Sequence, residues 1–71
     1  MDILKLREKD EYITLGQLLK AAGCVENGVE AKEEILSGHA SVNGEVDTRR
    51  GRKLYDGDVV KYRKWEIRVV R

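Results

Sequence analysis

Asn43-Gly44 lies between Ala40-Ser41-Val42 and Glu45-Val46-Asp47, and this pair constrains the fold more than any other feature of the chain. A two-residue hairpin turn needs positive φ at both central positions, which asparagine and glycine supply at least cost. Two short antiparallel strands are therefore expected to meet there. Asp56-Gly57 marks a further turn. Beyond it, Val59 to Arg63 and Glu66 to Val70 alternate as strands joined near Lys64-Trp65. Ahead of Gly38 the only strand signal is a short one at residues 3–7.

Between that strand and Gly38 the spacing is helical. Leu15, Leu18, Leu19 and Ala22 recur at i, i+3, i+4 and i+7, an apolar arc about 100° wide. Thr14 and Gln17 have the spacing of a capping box, and Gly23 is placed to end the helix in a left-handed turn. A second helix starts at Asn27, with Glu30 at its third position, runs through Ile35 and Leu36, and stops at Gly38. Three or four residues between the helices imply a helical hairpin. The expected fold class is α+β: a short strand, a helical hairpin, then a small, mostly antiparallel sheet.

The 71 residues allow one domain spanning 1–71, and a chain this short buries only about 60% of its unfolded surface. With 41% hydrophobic and 38% charged residues it reads as globular rather than disordered. The charged start carries no long apolar stretch of the kind a signal peptide or membrane anchor needs, so no membrane partner is expected. A lone cysteine, Cys24, cannot form an internal disulfide and fits a reducing, cytoplasmic setting. The formal net charge of +1 conceals an asymmetry. Residues 1–38 hold five Lys/Arg against eight Asp/Glu, while residues 39–71 hold nine against five. One half can thus face solvent while the other faces a polyanion.

Catalytic constellations are sparse. One His and one Cys cannot build a structural zinc site, so neither a metal nor a cofactor is expected. Ser37 and His39 flank a helix end with no orienting acid implied. Glu33-Glu34 and Asp56…Asp58 read as a solvated helix face and turn formers, and Cys24 as a small buried residue. No phosphate-cradling glycine loop precedes a helix. The expectation is a protein that is not an enzyme.

What remains is basic chemistry. Arg49, Arg50, Arg52 and Lys53 surround Gly51, just beyond the Asn43-Gly44 turn. The planar fork of arginine grips phosphate oxygens in bidentate fashion. On composition alone the cluster is equally a solubilising turn.

The run from Thr14 to Val60 resembles the small RNA-binding domain named after ribosomal small-subunit protein S-four. The resemblance rests on Leu15, Leu18 and Leu19; on Glu30-Ala31-Lys32; on Gly38-His39-Ala40-Ser41-Val42-Asn43-Gly44; and on Gly57-Asp58-Val59-Val60. Thr48-Arg49-Arg50-Gly51-Arg52-Lys53-Leu54 looks most like stand-alone bacterial members. The resemblance implies an alpha-L type motif that binds structured RNA, ribosomal RNA or a ribosome-associated particle above all, with a ribosomal or RNA-processing protein as a further partner. It implies Lys32, Asn43, Gly44, Arg49, Arg50, Arg52 and Lys53 as the RNA-binding residues. Two other readings stand beside it: an adaptor docking an acidic protein, and a subunit lending RNA affinity to a modifying enzyme.

The chain departs from the family pattern where RNA contact is usual. Thr14 and Gly16 stand where many members carry Arg and Asp, Gly28 occupies a position often basic, and Glu33 follows Lys32 where Arg is common. The contact burden accordingly moves toward the β-hairpin side. A helical wheel places Glu30, Glu33 and Glu34 on a face toward water and Ala31, Ile35 and Leu36 on the apolar face. Lys32 falls within that apolar arc, where it must either snorkel out or pair with a carboxylate. Lys20 reads as a solvated lysine ahead of a support for the basic patch, Tyr12 as a staple residue, Tyr55 as a turn neighbour and Trp65 as packing at the core edge ahead of stacking on an RNA base.

Overall fold

The computed structural model describes residues 1–71 throughout. Seven strands and two helices follow in the order β1 (Asp2–Lys5), β2 (Ile13–Thr14), α1 (Leu15–Ala21), α2 (Gly28–Leu36), β3 (Ala40–Val42), β4 (Glu45–Val46), β5 (Lys53–Leu54), β6 (Val59–Tyr62) and β7 (Trp65–Val70). Five strands form one sheet in the order β1-β7-β6-β3-β4, and β2 pairs with β5 in a separate antiparallel ladder. The α+β expectation holds. The main sheet is antiparallel except for β1, which runs parallel to β7 with Ile3 opposite Arg68.

The local signals produce the elements they predict. Thr14 and Gln17 form a reciprocal capping box on α1, and the Asn27 side chain accepts the Glu30 amide at the start of α2. Both helices close in Schellman geometry. The Gly23 amide donates to Lys20 and the Cys24 amide to Leu19; the Gly38 amide donates to Ile35 and the His39 amide to Glu34. Gly23 and Gly38 sit at φ 78° and 81°, left-handed values that a side chain would strain. Asn43 (φ 51°) and Gly44 (φ 89°) make the expected turn between β3 and β4.

Three details differ from the sequence reading. Six residues, 22–27, separate the helices, because α1 ends at Ala21 and Ala22 becomes its cap. The turn between β6 and β7 is Arg63-Lys64, with Arg63 at φ 52°, so Trp65 opens β7 and remains 37% exposed. Leu36, the last residue of α2, is 58% exposed rather than core.

One core joins all layers. Leu15, Leu18 and Leu19 of α1, Ala31 and Ile35 of α2, Leu54 of β5, and Val60, Ile67 and Val69 of the sheet are wholly buried. Burying each large aliphatic side chain contributes about 1.5–3 kcal/mol before chain entropy is counted. Inward and outward residues alternate along β6 and β7, so the helices cover one face of the sheet. Leu54 carries the β2–β5 ladder into that core and so fixes the basic stretch preceding it. No helix is long and apolar enough to cross a membrane.

Candidate nucleic-acid interface

The basic turn is held from below by Asp47. This carboxylate is 7% exposed and directly follows β4. Its Oδ1 accepts from the Arg49 backbone amide at 2.9 Å and from Arg49 Nε at 3.0 Å, while its Oδ2 accepts from Arg49 Nη2 at 2.8 Å and from Arg52 Nη1 at 2.7 Å. Arg49 thus lies side-on against the carboxylate in the strong bidentate arrangement. Hydrogen bonding from Arg49 is the main cause that holds the Asp47 carboxyl well below the usual carboxylate range, and it raises the Arg49 guanidinium in return. Arg49 Nη1 and Arg52 Nε and Nη2 make no hydrogen bond within the protein.

Arg50 is fixed from the other side. The amides of Leu15 and Gly16, at the start of α1, donate to the carbonyls of Arg52 and Arg50 at 2.9 and 3.0 Å. A Cβ at position 16 would meet Arg50 Cγ at 2.7 Å, so glycine is what lets the Arg50 stem lie on the helix. Here the departure from the family pattern noted in the sequence has a use. Gly16 leaves room for a cation supplied by the turn.

Lys53 stands at the end of the turn on the β2–β5 ladder, opposite Thr14, with its Nζ 5.0 Å from the centroid of the Tyr12 ring. Two shallow grooves flank the whole segment. One, toward the hairpin, is lined by Asn43, Glu45, Thr48, Arg49 and Arg52; the other, toward the helices, by Thr14, Lys20, Gly28, Arg50 and Gly51.

The site residues named from the sequence therefore divide. Arg49, Arg50, Arg52 and Lys53 come together on one anchored turn. Asn43 lines the hairpin groove and Gly44 does not, and the Asn43 amide is engaged within the protein: Nδ2 donates to Asp58 at 3.0 Å and Oδ1 accepts the Val59 amide at 2.9 Å. Lys32 is exposed on α2, lines neither groove and forms no ion pair, so the carboxylate partner weighed for it is absent. Its wheel position inside the apolar arc is overridden because that flank of α2 is left uncovered.

The second helix also needs correction at Glu34. Rather than facing water with Glu30 and Glu33, it is drawn under the sheet end. Tyr62 Oη donates to its Oε1, as do Arg63 Nε at 3.0 Å and Nη2 at 2.6 Å, and His39 Nδ1 lies 3.4 Å from Oε2. The Tyr62 hydroxyl and then Arg63 hold the Glu34 carboxyl down at about 2. An acid does stand beside His39 after all, though it is spent on Tyr62 and Arg63.

Sequence reasoning passed over Asp47 and set Lys20 down as a solvated lysine ahead of a support for the basic patch. Asp47 was readable in principle, since an aspartate two residues before an arginine commonly accepts the backbone amide there. For Lys20 the sequence showed only a place off the apolar face of α1, because its sharing of a groove with Arg50 depends on how the turn crosses that helix.

Comparison with known proteins agrees with this fold. A family model described as "S4 domain" matches residues 4–70, beyond the span 14–60 recognised from motifs. Over 51 residues, 72% of each chain, the protein is 53% identical to "Probable ribosome maturation protein RlbA" of Bacillus subtilis. Over 62 residues it is 36% identical to Escherichia coli YbcJ, covering 87% of this chain and 89% of that one. The solution structure of YbcJ, described as revealing an "alfaL motif involved in RNA-binding", superposes with a TM-score of 0.76 at 34% identity, covering 100% of this chain and 89% of that one. The chain belongs to the S4 domain family.

Proposed function

We propose that this protein is a non-enzymatic RNA-binding domain that grips structured RNA, ribosomal RNA in a maturing particle, through the turn at Arg49–Lys53. The observation that carries the reading is the double anchoring of that turn. Asp47 holds Arg49 and Arg52, and the Gly16 seat holds Arg50, so three of the four cations are presented pre-oriented at little further entropic cost, with Lys53 beside them over the Tyr12 ring. Contacts of this kind go to phosphates and read RNA shape rather than sequence. Membership of the S4 domain family and the naming of the Bacillus subtilis relative as a probable ribosome maturation protein support the choice of RNA and a cytoplasmic place of action. Asn43 and Gly44 serve this surface by holding the hairpin groove in shape, and Lys32 adds long-range attraction.

Because Arg49 sustains Asp47, the informative reversals are Arg50→Glu with Lys53→Glu. Wild-type protein should bind ribosomal RNA with a log–log salt slope of about −3 to −4, the value for roughly four phosphate contacts. The double reversal should keep its circular dichroism spectrum and lose binding. Retained binding would place the RNA elsewhere on the molecule.

A further inference from the structure

The β2–β5 ladder does more than fasten the basic turn. Its register pairs Ile13 with Leu54 and Thr14 with Lys53, and one further step brings Tyr12 opposite Tyr55. Alternation sends Leu54 into the core, so Lys53, Tyr12 and Tyr55 share the outward face. The two rings meet with centroids 5.9 Å apart, tilted by 52°. Tyr12 is 39% exposed and Tyr55 48%. The Lys53 ammonium lies over the Tyr12 ring, and no cation covers that of Tyr55. Neither phenol makes a side-chain hydrogen bond within the protein.

From this juxtaposition we infer that Tyr12 and Tyr55 form a stacking platform for one unpaired nucleobase of the bound RNA, with Lys53 taking the phosphate beside it. The inference rests on the RNA-binding reading of the adjacent turn. The chemistry matches an extruded base at each point. A base offers a flat π-face whatever its identity, an aromatic ring receives it without hydrogen-bond readout, and the phosphate attached to it needs a cation a few ångströms away. Tyr12 also lines an apolar pocket with Leu4, Leu6, Ile13 and Ala21, but the lysine set against the ring and the basic turn beside it favour an anionic nucleic acid over a protein. The platform also gives the domain a preference that phosphate contacts cannot supply. It selects helices interrupted by a loop or bulge over continuous duplex.

The test uses two fluorescein-labelled probes: an RNA stem-loop carrying 2-aminopurine in its unpaired loop, and a blunt duplex with the same stem sequence. Wild-type protein should bind the stem-loop more tightly than the duplex and quench 2-aminopurine emission. Tyr12→Ala/Tyr55→Ala should weaken stem-loop binding roughly 10-fold or more, abolish quenching and leave duplex affinity unchanged. Tyr12→Phe/Tyr55→Phe should restore both, since stacking needs the ring and not the hydroxyl. The platform is refuted if the alanine variant quenches and binds the stem-loop as wild type does, or if it loses stem-loop and duplex equally, which would mean the rings act only through the fold. Wild-type binding of both probes alike, abolished by Arg50→Glu/Lys53→Glu, would remove the platform and leave the basic turn standing. Binding of neither probe by the wild type would remove the RNA reading and the platform with it.

Discussion

Asp47 and Arg49 are joined by three hydrogen bonds, one from the backbone amide at 2.9 Å and two from the guanidinium at 3.0 and 2.8 Å. The same carboxylate restrains Arg52, so one buried acid both orders and partly neutralises the cations around it. These two effects make opposite predictions for Asp47→Asn. Loss of the charge-assisted bonds should lower stability by about 1–2 kcal/mol, a modest figure because water can resolvate the exposed Arg49. A domain of this size would then melt roughly 5–15 °C lower. Removing the negative charge should at the same time tighten low-salt RNA binding and steepen its salt dependence. Thermal melts and salt-dependent fluorescence anisotropy on one variant preparation check both. Weaker binding at every salt concentration would show that pre-orienting Arg49 and Arg52 outweighs their neutralisation.

Gly16→Ala addresses the other anchor. Alanine favours helix over glycine by up to about 1 kcal/mol, yet its Cβ would stand 2.7 Å from Arg50 Cγ. Arg50 must leave its seat, while the Arg50 carbonyl, at 3.5 Å from that Cβ, need not move. The melting temperature should therefore change by no more than about 5 °C. The log–log salt slope should shrink by about 1, the value of a single lost phosphate contact. An unchanged slope would show that Arg50 makes its contact from some other position.

How far the sequence could be read depended on the range of the interactions. The helix boundaries and the Asn43-Gly44 turn are set within a few residues, by the Thr14–Gln17 box, the Asn27 cap and the glycines at positive φ, and local patterns expose them. The β2–β5 ladder has two residues per strand, so neither strand has a period to detect, and its partners lie 41 residues apart in sequence, Ile13 to Leu54. Tyr12 and Tyr55 were consequently read as unrelated, one as a staple residue and the other as a turn neighbour. The helical wheel failed at Glu34 and Lys32 for a related reason. A wheel ranks the faces of α2 but cannot say which flank the sheet will cover, and Tyr62 with Arg63 covers the one carrying Glu34. The basic turn was visible as composition. Its anchoring became visible only in three dimensions.

The turn at Asn43 predicts a pH-dependent defect. Its amide donates to Asp58 Oδ1 and accepts the Val59 amide, so Asn43→Asp keeps the acceptor and turns the donor into a carboxylate 3.0 Å from another. Stability at neutral pH should fall by about 1–2 kcal/mol. Each carboxylate then raises the other's pKa in the folded state, so the folded variant binds more protons than the unfolded chain. The deficit should accordingly shrink as pH drops through about 4. Chemical denaturation of both proteins at pH 7 and pH 4 tests this, with a narrowing gap expected. A constant gap would mean that the lost donor, and not repulsion, is what matters.

The cluster around Glu34 makes the opposite case. Its carboxyl is held down at about 2, first by the Tyr62 hydroxyl and then by Arg63. An acid with a depressed folded pKa gives stability that is present above its unfolded value, about 4.3, and is lost as pH falls through the folded one. Wild-type protein should therefore become progressively easier to melt between pH about 4.5 and about 2. Asp47 lies well below the usual range as well and contributes to the same decline, so Glu34→Gln should flatten the curve without levelling it. Glutamine can still accept from Tyr62 but offers Arg63 no charge, so the variant should start lower at pH 7 and converge on wild type near pH 2. Arg63 is 56% exposed, and added salt should therefore narrow the difference at neutral pH. Melting curves across this range for wild type, Glu34→Gln and Asp47→Asn separate the two carboxylates. Parallel wild-type and Glu34→Gln curves would show that the link from α2 to the β6–β7 turn carries no pH-dependent stability.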